Sequence, residues 1–426
     1  MNILYVIHQF YPDSYSGTEK FLLNVSTCIQ RDGHFAQIAT YTLSEQQKEF
    51  QRKPNILTRD YFYRGLPVTS IRHQKMPLDI HTYCTNQDIY RFAMEYLQKK
   101  TAFDIVHIAH PMRLAPFAQA ALDLGIPYVI TFTDFWMICP RIILQTNSGM
   151  LCSGPDGGQA CANFCPELQS SFVTNRLAQI KLILSRAKAL VSPSKFLASI
   201  FKKEFPDLNI QIIPHGMDLR YLRPNSRQYR HDDKIIFSYC GGFAPHKGVH
   251  VLLKAFLDLN PANAELKLYG SSFHEYEYFR QLQSIAKQDK RIHFCGAYNE
   301  EQVGDVMSGV DVLVIPSLWY ENYPLVLHEA LTCNVPVIAS NIGGMAEKIK
   351  DSINGFTFQV GDEKDLAVQL KSILDNPEIL NEIKERMRGY IPPRTEEEAY
   401  LYQRLYAPSQ QALLVQETDT LQFMNE

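Results

Sequence analysis

The sequence predicts an α/β protein built from two doubly wound parallel sheets, one in each half of the chain. Three observations carry this expectation. Short apolar runs alternate with stretches of helical period along most of the 426 residues. The alternation occurs twice, on either side of Leu219 to Asp233, a segment rich in Arg, Pro, Asn and Asp that reads as an interdomain linker. A chain of this length also exceeds what one hydrophobic core usually supports.

In the first half, Ile3–Ile7 reads as a buried opening strand. Phe21, Val25 and Ile29 recur every fourth residue and predict a helix, with Ser16 and Glu19 spaced as a capping box at its start. Buried strands follow at Ile105–Ile108, Tyr128–Phe132, Ala189–Val191 and Ile210–Ile213. The second half repeats the pattern at Ile235–Tyr239, Leu266–Tyr269, Ile292–Phe294, Val312–Ile315 and Val337–Ala339. The run Tyr390-Ile391-Pro392-Pro393-Arg394 then interrupts helical sequence, Glu396–Tyr406 reads as one more helix, and the polar tail from Pro408 reads as disordered. Strands joined by helices pair in parallel, so both halves are expected to be Rossmann-like.

Composition narrows the function classes. A net charge of −3 gives no electrostatic case for nucleic acid as a partner. No apolar run approaches the roughly 20 residues that cross a bilayer. His8 and Gln9 end the first apolar run too early for a secretory signal. Nine cysteines, an odd number in a long chain, argue against a disulfide framework. The expected compartment is the cytoplasm.

Ligands of doubly wound sheets bind beyond the carboxyl ends of the strands, so the loops after each opening strand matter most. The first half places His8 to Glu19 there, with Gly17 just before a helix; His8 is a candidate acceptor-side contact. The second half places Gly241-Gly242-Phe243-Ala244-Pro245-His246-Lys247-Gly248 there. Glycines let backbone N–H groups approach an anion, a helix start adds positive potential, and Lys247 adds a full charge. A diphosphate suits this loop; a tight turn with a solvated lysine is the plainer alternative. The Walker spacing is absent. Further on, Glu321 falls in a loop after the strand Val312–Ile315, Pro324 suits the first turn of a helix, and Glu329 lies inside that helix. Two carboxylates at two depths accept hydrogen bonds from hydroxyls, as a nucleotide-sugar requires.

Glu321 and Glu329, separated by seven residues, resemble the EX7E motif of family 4 glycosyltransferases. The order of the other motifs agrees: Pro214 to Asp218, Gly241 to Gly248, Ile292 to Gly296, Asp311 to Ser317, Gly343-Gly344 with Glu347, and Gly355-Phe356. In the first half Gly17, Phe103 to His107, Thr133 to Arg141, and Ser192-Pro193-Ser194 fit as well. The resemblance implies a GT-B fold with a cleft between two Rossmann-like domains. It implies an acceptor domain of residues 1–218, joined by a returning helix and tail at 396–426, and a donor domain of residues 219–395. It implies Lys247, Glu321 and Asp134 as catalytic residues. It places the donor on Gly241, Gly242, Lys247, Tyr323, Pro324, Leu325 and Glu329, and the acceptor near Gly17, His8 and Thr133. Transfer would then proceed from a nucleotide-sugar with retention and without a metal or other cofactor. The acceptor would be a glycan, a lipid-linked molecule or a small molecule.

Two positions depart from the family pattern. Gly242 stands where Arg is frequent, and Thr133 where His often precedes the Asp. Both removals weaken expected contacts. They keep open a non-catalytic nucleotide-sugar-binding protein, alongside a nucleotide-sugar epimerase or hydrolase on the same architecture.

Cys139, Cys152, Cys161 and Cys165 cluster in a glycine-rich stretch. Four thiolates suit structural zinc, but paired CxxC knuckles are lacking, and reduced thiols are the other reading. His107 and His110 fall at or near strand ends. Asn175 to Lys188 carries Arg176, Lys181, Arg186 and Lys188 among Leu and Ile. That stretch reads either as a helix with solvated cations or as a peripheral contact with an anionic membrane.

Overall fold

The computed structural model describes every residue except 45–49, 53, 100–101, 260–262, 273–274 and 408–426. The predicted polar tail from Pro408 therefore lies outside the described residues. The chain divides into two units, one of residues 1–216 with the segment from Thr395 onward, the other of Met217–Arg394.

The first unit is a nine-stranded sheet. Its strands are β1 (Asn2–Ile7), β2 (Phe35–Tyr41), β3 (Gln51–Arg52), β4 (Ile56–Tyr63), β5 (Leu66–His73), β6 (Ile105–Ile108), β7 (Tyr128–Thr131), β8 (Ala189–Ser192) and β9 (Ile210–Ile212). Their order is β3-β4-β5-β2-β1-β6-β7-β8-β9. All pairings are parallel except β3–β4 and β4–β5. β2 and the β4–β5 hairpin were absent from the sequence expectation. The hairpin turns at Arg64 and Gly65, both at positive φ, and its solvent-side polar residues break up the apolar run that marks a doubly covered strand. The capping box is present: the Ser16 backbone N–H and hydroxyl both donate to the Glu19 carboxylate at the start of the helix Gly17–Arg31.

The helix Thr395–Tyr406 completes this unit. Ala399, Tyr402 and Tyr406 join Tyr5, Phe21, Val25 and Val191 in one core. Beneath them His107 binds the Tyr406 hydroxyl at 2.6 Å and the Thr131 hydroxyl at 2.8 Å. It is a core histidine.

The second unit holds a six-stranded, wholly parallel sheet. Its strands are β10 (Ile235–Cys240), β11 (Ala264–Tyr269), β12 (Ile292–Gly296), β13 (Val312–Ile315), β14 (Val337–Ser340) and β15 (Gly355–Phe358), in the order β12-β11-β10-β13-β14-β15. β13 shows why its sequence reads as an unbroken apolar run. Val312 and Val314 pack into one core, Leu313 and Ile315 into the other, so both faces are covered.

Leu219 to Asp233 is not a linker. It belongs to the second unit, where Asn225 is buried and Arg227 pairs with Asp311 at 2.8 Å. The Tyr229 hydroxyl also reaches Asp311, and Lys384 donates to Asn225, Arg227 and Tyr229. Asn225, Arg227 and Tyr229 thus anchor the segment, while Arg220, Arg223, Arg230 and Asp232 are exposed. The unit boundaries fall at Gly216/Met217 and Arg394/Thr395, against 218/219 and 395/396 from sequence.

Candidate functional site

In the second unit the strand order reverses at β10, which pairs with β11 on one side and β13 on the other. A crevice is expected beyond the carboxyl ends of two such strands. The loop after β10 contains the turn Pro245–Lys247 and Gly248, which opens the helix Val249–Leu257. Gly248 has φ +69°, and a Cβ there would stand 1.9 Å from the Pro316 carbonyl. Only glycine lets the β10 loop approach the β13 loop so closely, and Leu318 N–H to the His246 carbonyl, at 2.8 Å, ties the two together.

That approach brings Lys247 to Glu321. The ammonium lies 2.7 Å from Oε1, which also accepts from Ser317 Oγ at 2.8 Å and Trp319 Nε1 at 2.8 Å. Burial pushes the Glu321 pKa up, but Lys247 and these two donors outweigh it, so the carboxylate is held below its ordinary range. The Trp319 ring stands 4.9 Å from the ammonium. Burial and then Lys247 hold neighbouring His246 at about 4, uncharged at neutral pH. Pro324 occupies the N-cap rather than the first turn, and the helix runs Leu325–Thr332. Tyr323 stacks on His328 with centroids 4.0 Å apart. Glu329 is buried in this helix and adds to the pressure that raises the Cys240 thiol, whose largest cause is burial. Cys240 is the last residue of β10, so Glu329 neighbours the strand end from which Gly241 and Gly242 continue.

In the first unit the reversal falls at β1, between β2 and β6. His8 follows β1 and its ring lies 3.9 Å from that of His110, which follows β6. His110 Nε2 donates to Asp134 at 2.6 Å while its Nδ1 accepts from the Met112 backbone at 3.2 Å. The second bond selects the neutral tautomer with its proton on Nε2. Asp134 accepts on its other oxygen from Trp136 N–H, and the Thr133 hydroxyl donates to the Ala109 carbonyl. Burial, then His110 and Arg113, hold His8 well below its ordinary pKa. Gly17 is the first residue of the helix that begins beside Glu19, whose carboxylate stands 3.8 Å from His8.

Two family models match in tandem. Residues 15–221 match glycosyltransferase family 4 and residues 223–390 match glycosyl transferases group 1. The chain belongs to the group 1, family 4 glycosyltransferases.

Among similar glycosyltransferases, the lipopolysaccharide 1,2-N-acetylglucosaminetransferase of Salmonella typhimurium is 28% identical over 39% of this chain and 48% of its own length. The D-inositol 3-phosphate glycosyltransferase of Saccharomonospora viridis is 26% identical over 40% of this chain and 43% of its own. The chain thus spans about half the length of the curated relatives it matches. Two solved structures share the fold. Anabaena HepE in complex with UDP and glucose superimposes with a TM-score of 0.67 at 16% identity, covering 94% of this chain and 98% of that one. Sucrose-phosphate synthase from Thermosynechococcus elongatus gives 0.66 at 18% identity, covering 95% and 98%. The fold of this glycosyltransferase is GT-B.

Within the second unit, Lys247 and Glu321 meet, and Gly241, Gly242 and Glu329 lie at the same strand end. Within the first unit, His8, Thr133 and Asp134 gather at β1, β6 and β7. Sequence reasoning missed Ser317 and Trp319, four and two residues before Glu321, and it left His110 and Arg113 unassigned although both follow a recognised strand. Arg176 is buried, donating to the Thr82, Trp136 and Met137 carbonyls, and so leaves the basic strip proposed for a membrane contact.

The four clustered cysteines are thiols in this structure. Burial lifts Cys139 to about 11 and Cys161 to about 12, which favours the neutral form. Among the described residues no group of three or more His, Cys, Asp or Glu side chains is placed to hold a metal ion.

Proposed function

We propose that this glycosyltransferase moves a sugar from a nucleotide-sugar to an acceptor hydroxyl with retention of configuration, in the cytoplasm. The observation that supports it best is the Lys247–Glu321 contact at 2.7 Å beside a glycine-lined loop at the switch point of the second sheet. A donor laid there meets an ammonium at its diphosphate and a carboxylate at its sugar, while Glu329 lies within the adjoining helix to take the ribose hydroxyls. Two structural neighbours are complexes with UDP and with UDP-glucose, which makes UDP the first nucleotide to try.

Cleavage of the sugar–phosphate bond builds negative charge on the leaving diphosphate. Lys247 and backbone N–H groups oppose that charge from fixed positions, with no reorganisation needed as it builds. The leaving phosphate oxygen accepts the proton of the incoming hydroxyl, so no side-chain base and no metal is required. On the acceptor side His8, Thr133 and Asp134 orient the hydroxyl. Among the described residues no helix is long and apolar enough to cross a membrane.

A panel of nucleotide-sugars screened by thermal shift tests the donor. At a hundred times its Kd the correct donor stabilises the fold by about 2.7 kcal/mol. Lys247→Ala is expected to abolish that shift and cut transfer by roughly a hundred- to a thousand-fold. A shift that persists in the variant places the diphosphate elsewhere. Binding without turnover against every class of acceptor favours the non-catalytic reading, which Gly242 and Thr133 keep open.

A further inference from the structure

Resting on the acceptor-side reading above, we propose that the carboxyl edge of the nine-stranded sheet carries an oxyanion subsite at Arg113, which receives a phosphate or carboxylate group borne by the acceptor. Arg113 lies in the turn after β6 with φ +67°, a backbone conformation that non-glycine residues adopt at a cost and that recurs where a side chain must be aimed. Its residue is only 6% exposed. Nε donates to His81 Nδ1 at 2.8 Å, Nη1 donates to the His8 carbonyl at 3.1 Å, and the guanidinium stands 5.8 Å from the Tyr41 ring centroid.

These partners are all uncharged. A guanidinium has five N–H donors and a fixed positive charge, and a buried cation normally sits against a carboxylate. Among the described residues none stands within ion-pair distance of Arg113. Glu19 acts on it only at longer range and is already bound by Ser14 and Ser16. Asp134 is taken by His110 and by Trp136 N–H. Burial draws the Arg113 pKa down to about 10, and Tyr41 and Glu19 offset it only in part. Two hydrogen bonds to neutral acceptors are work a glutamine amide could do; they do not account for a buried positive charge.

A second feature points the same way. The helix Pro116–Asp123 begins three residues after Arg113 with no side-chain cap and no acidic residue in its first turn. The helix Gly17–Arg31, which starts at the same sheet edge, has its positive end answered by Glu19. The first N–H groups of this helix, those of Phe117 and Ala118, donate to the Leu114 and Ala115 carbonyls, so the helix start adds only its dipole field at this edge, beside His8 and Asp134, and the guanidinium is the group an anion answers.

The test uses the full chain with inorganic phosphate as the probe. Because Lys247 is itself expected to bind phosphate, melts are recorded in Lys247→Ala, in phosphate against chloride at matched ionic strength. Phosphate is expected to raise the melting temperature, and Arg113→Gln, which removes the charge while leaving an amide N–H near the position of Nε, is expected to remove the rise. An equal rise in both proteins overturns the proposal. Acetate in a parallel arm separates a carboxylate site from one selective for phosphate. Should Arg113→Gln not fold, crystals of the unmodified chain soaked in tungstate decide. A tungsten peak within hydrogen-bonding reach of the Arg113 guanidinium supports the subsite, and a peak at Lys247 with none at Arg113 sinks it. A peak at Arg113 with none at Lys247 counts against the donor site instead.

Discussion

His107 shows how a residue can sit near a strand end and still serve the core. Burial holds its pKa at about 3, against an ordinary 6.5, and the Tyr406 and Thr131 hydroxyls satisfy both ring nitrogens. The unfolded chain therefore binds a proton between about pH 6.5 and 3 that the folded chain does not. Stability contributed by the neutral ring is complete above the upper value and falls as pH drops, by at most about 1.4 kcal/mol per pH unit. Melting temperatures recorded from pH 7 to 4 are expected to decline less steeply in His107→Gln than in the unmodified chain. Parallel slopes would show that the ring does not titrate this way. From the sequence alone His107 and His110 look alike, two histidines three residues apart at one strand end. What separates them is the returning helix, which covers one and leaves the other beside Asp134.

At the level of elements, doubly covered strands with unbroken apolar runs were plain in the sequence, as in Leu313 flanked by Val312 and Val314, whereas buried β2 was not, since Gln37 and Thr40 interrupt its run. The β4–β5 hairpin was not legible either, since Arg59, Asp60 and Arg64 interrupt it, and Leu219 to Asp233 misled because a few of its residues, Asn225, Arg227 and Tyr229, anchor it through buried bonds while most of its polar side chains are exposed. The motif around Glu321 and Glu329 was legible as spacing. Its convergence with Lys247 was not, because that depends on two loops meeting where a Cβ on Gly248 would overlap the Pro316 carbonyl. Gly248→Ala is accordingly expected to push the β10 loop away from the β13 loop. Nucleotide binding, followed by titration calorimetry, should weaken at least tenfold, while strand content by circular dichroism persists. Unchanged affinity would mean the two loops need not touch for binding.

For the whole molecule, the division of the chain is unequal in a useful way. The second unit is one continuous segment, Met217–Arg394, with both faces of its sheet covered by its own helices. Expressed alone, residues 217–394 are expected to unfold cooperatively and to bind the nucleotide of the donor with an affinity that Lys247→Ala removes. Failure of this segment to give a single melting transition would show that it borrows stability from the rest of the chain.

The first unit has no such independence, since Tyr402 and Tyr406 come from a segment that follows the whole second unit. On the ribosome its sheet emerges first but must wait for the 395–406 helix. At common elongation rates the intervening 178 residues, 217 to 394, take roughly ten to forty seconds. During that interval the apolar floor around Phe21 and Tyr5 stands uncovered and is open to chaperones. A stop codon near position 395 would therefore harm the amino-terminal half of the protein, although every residue of that half before the helix had already been made.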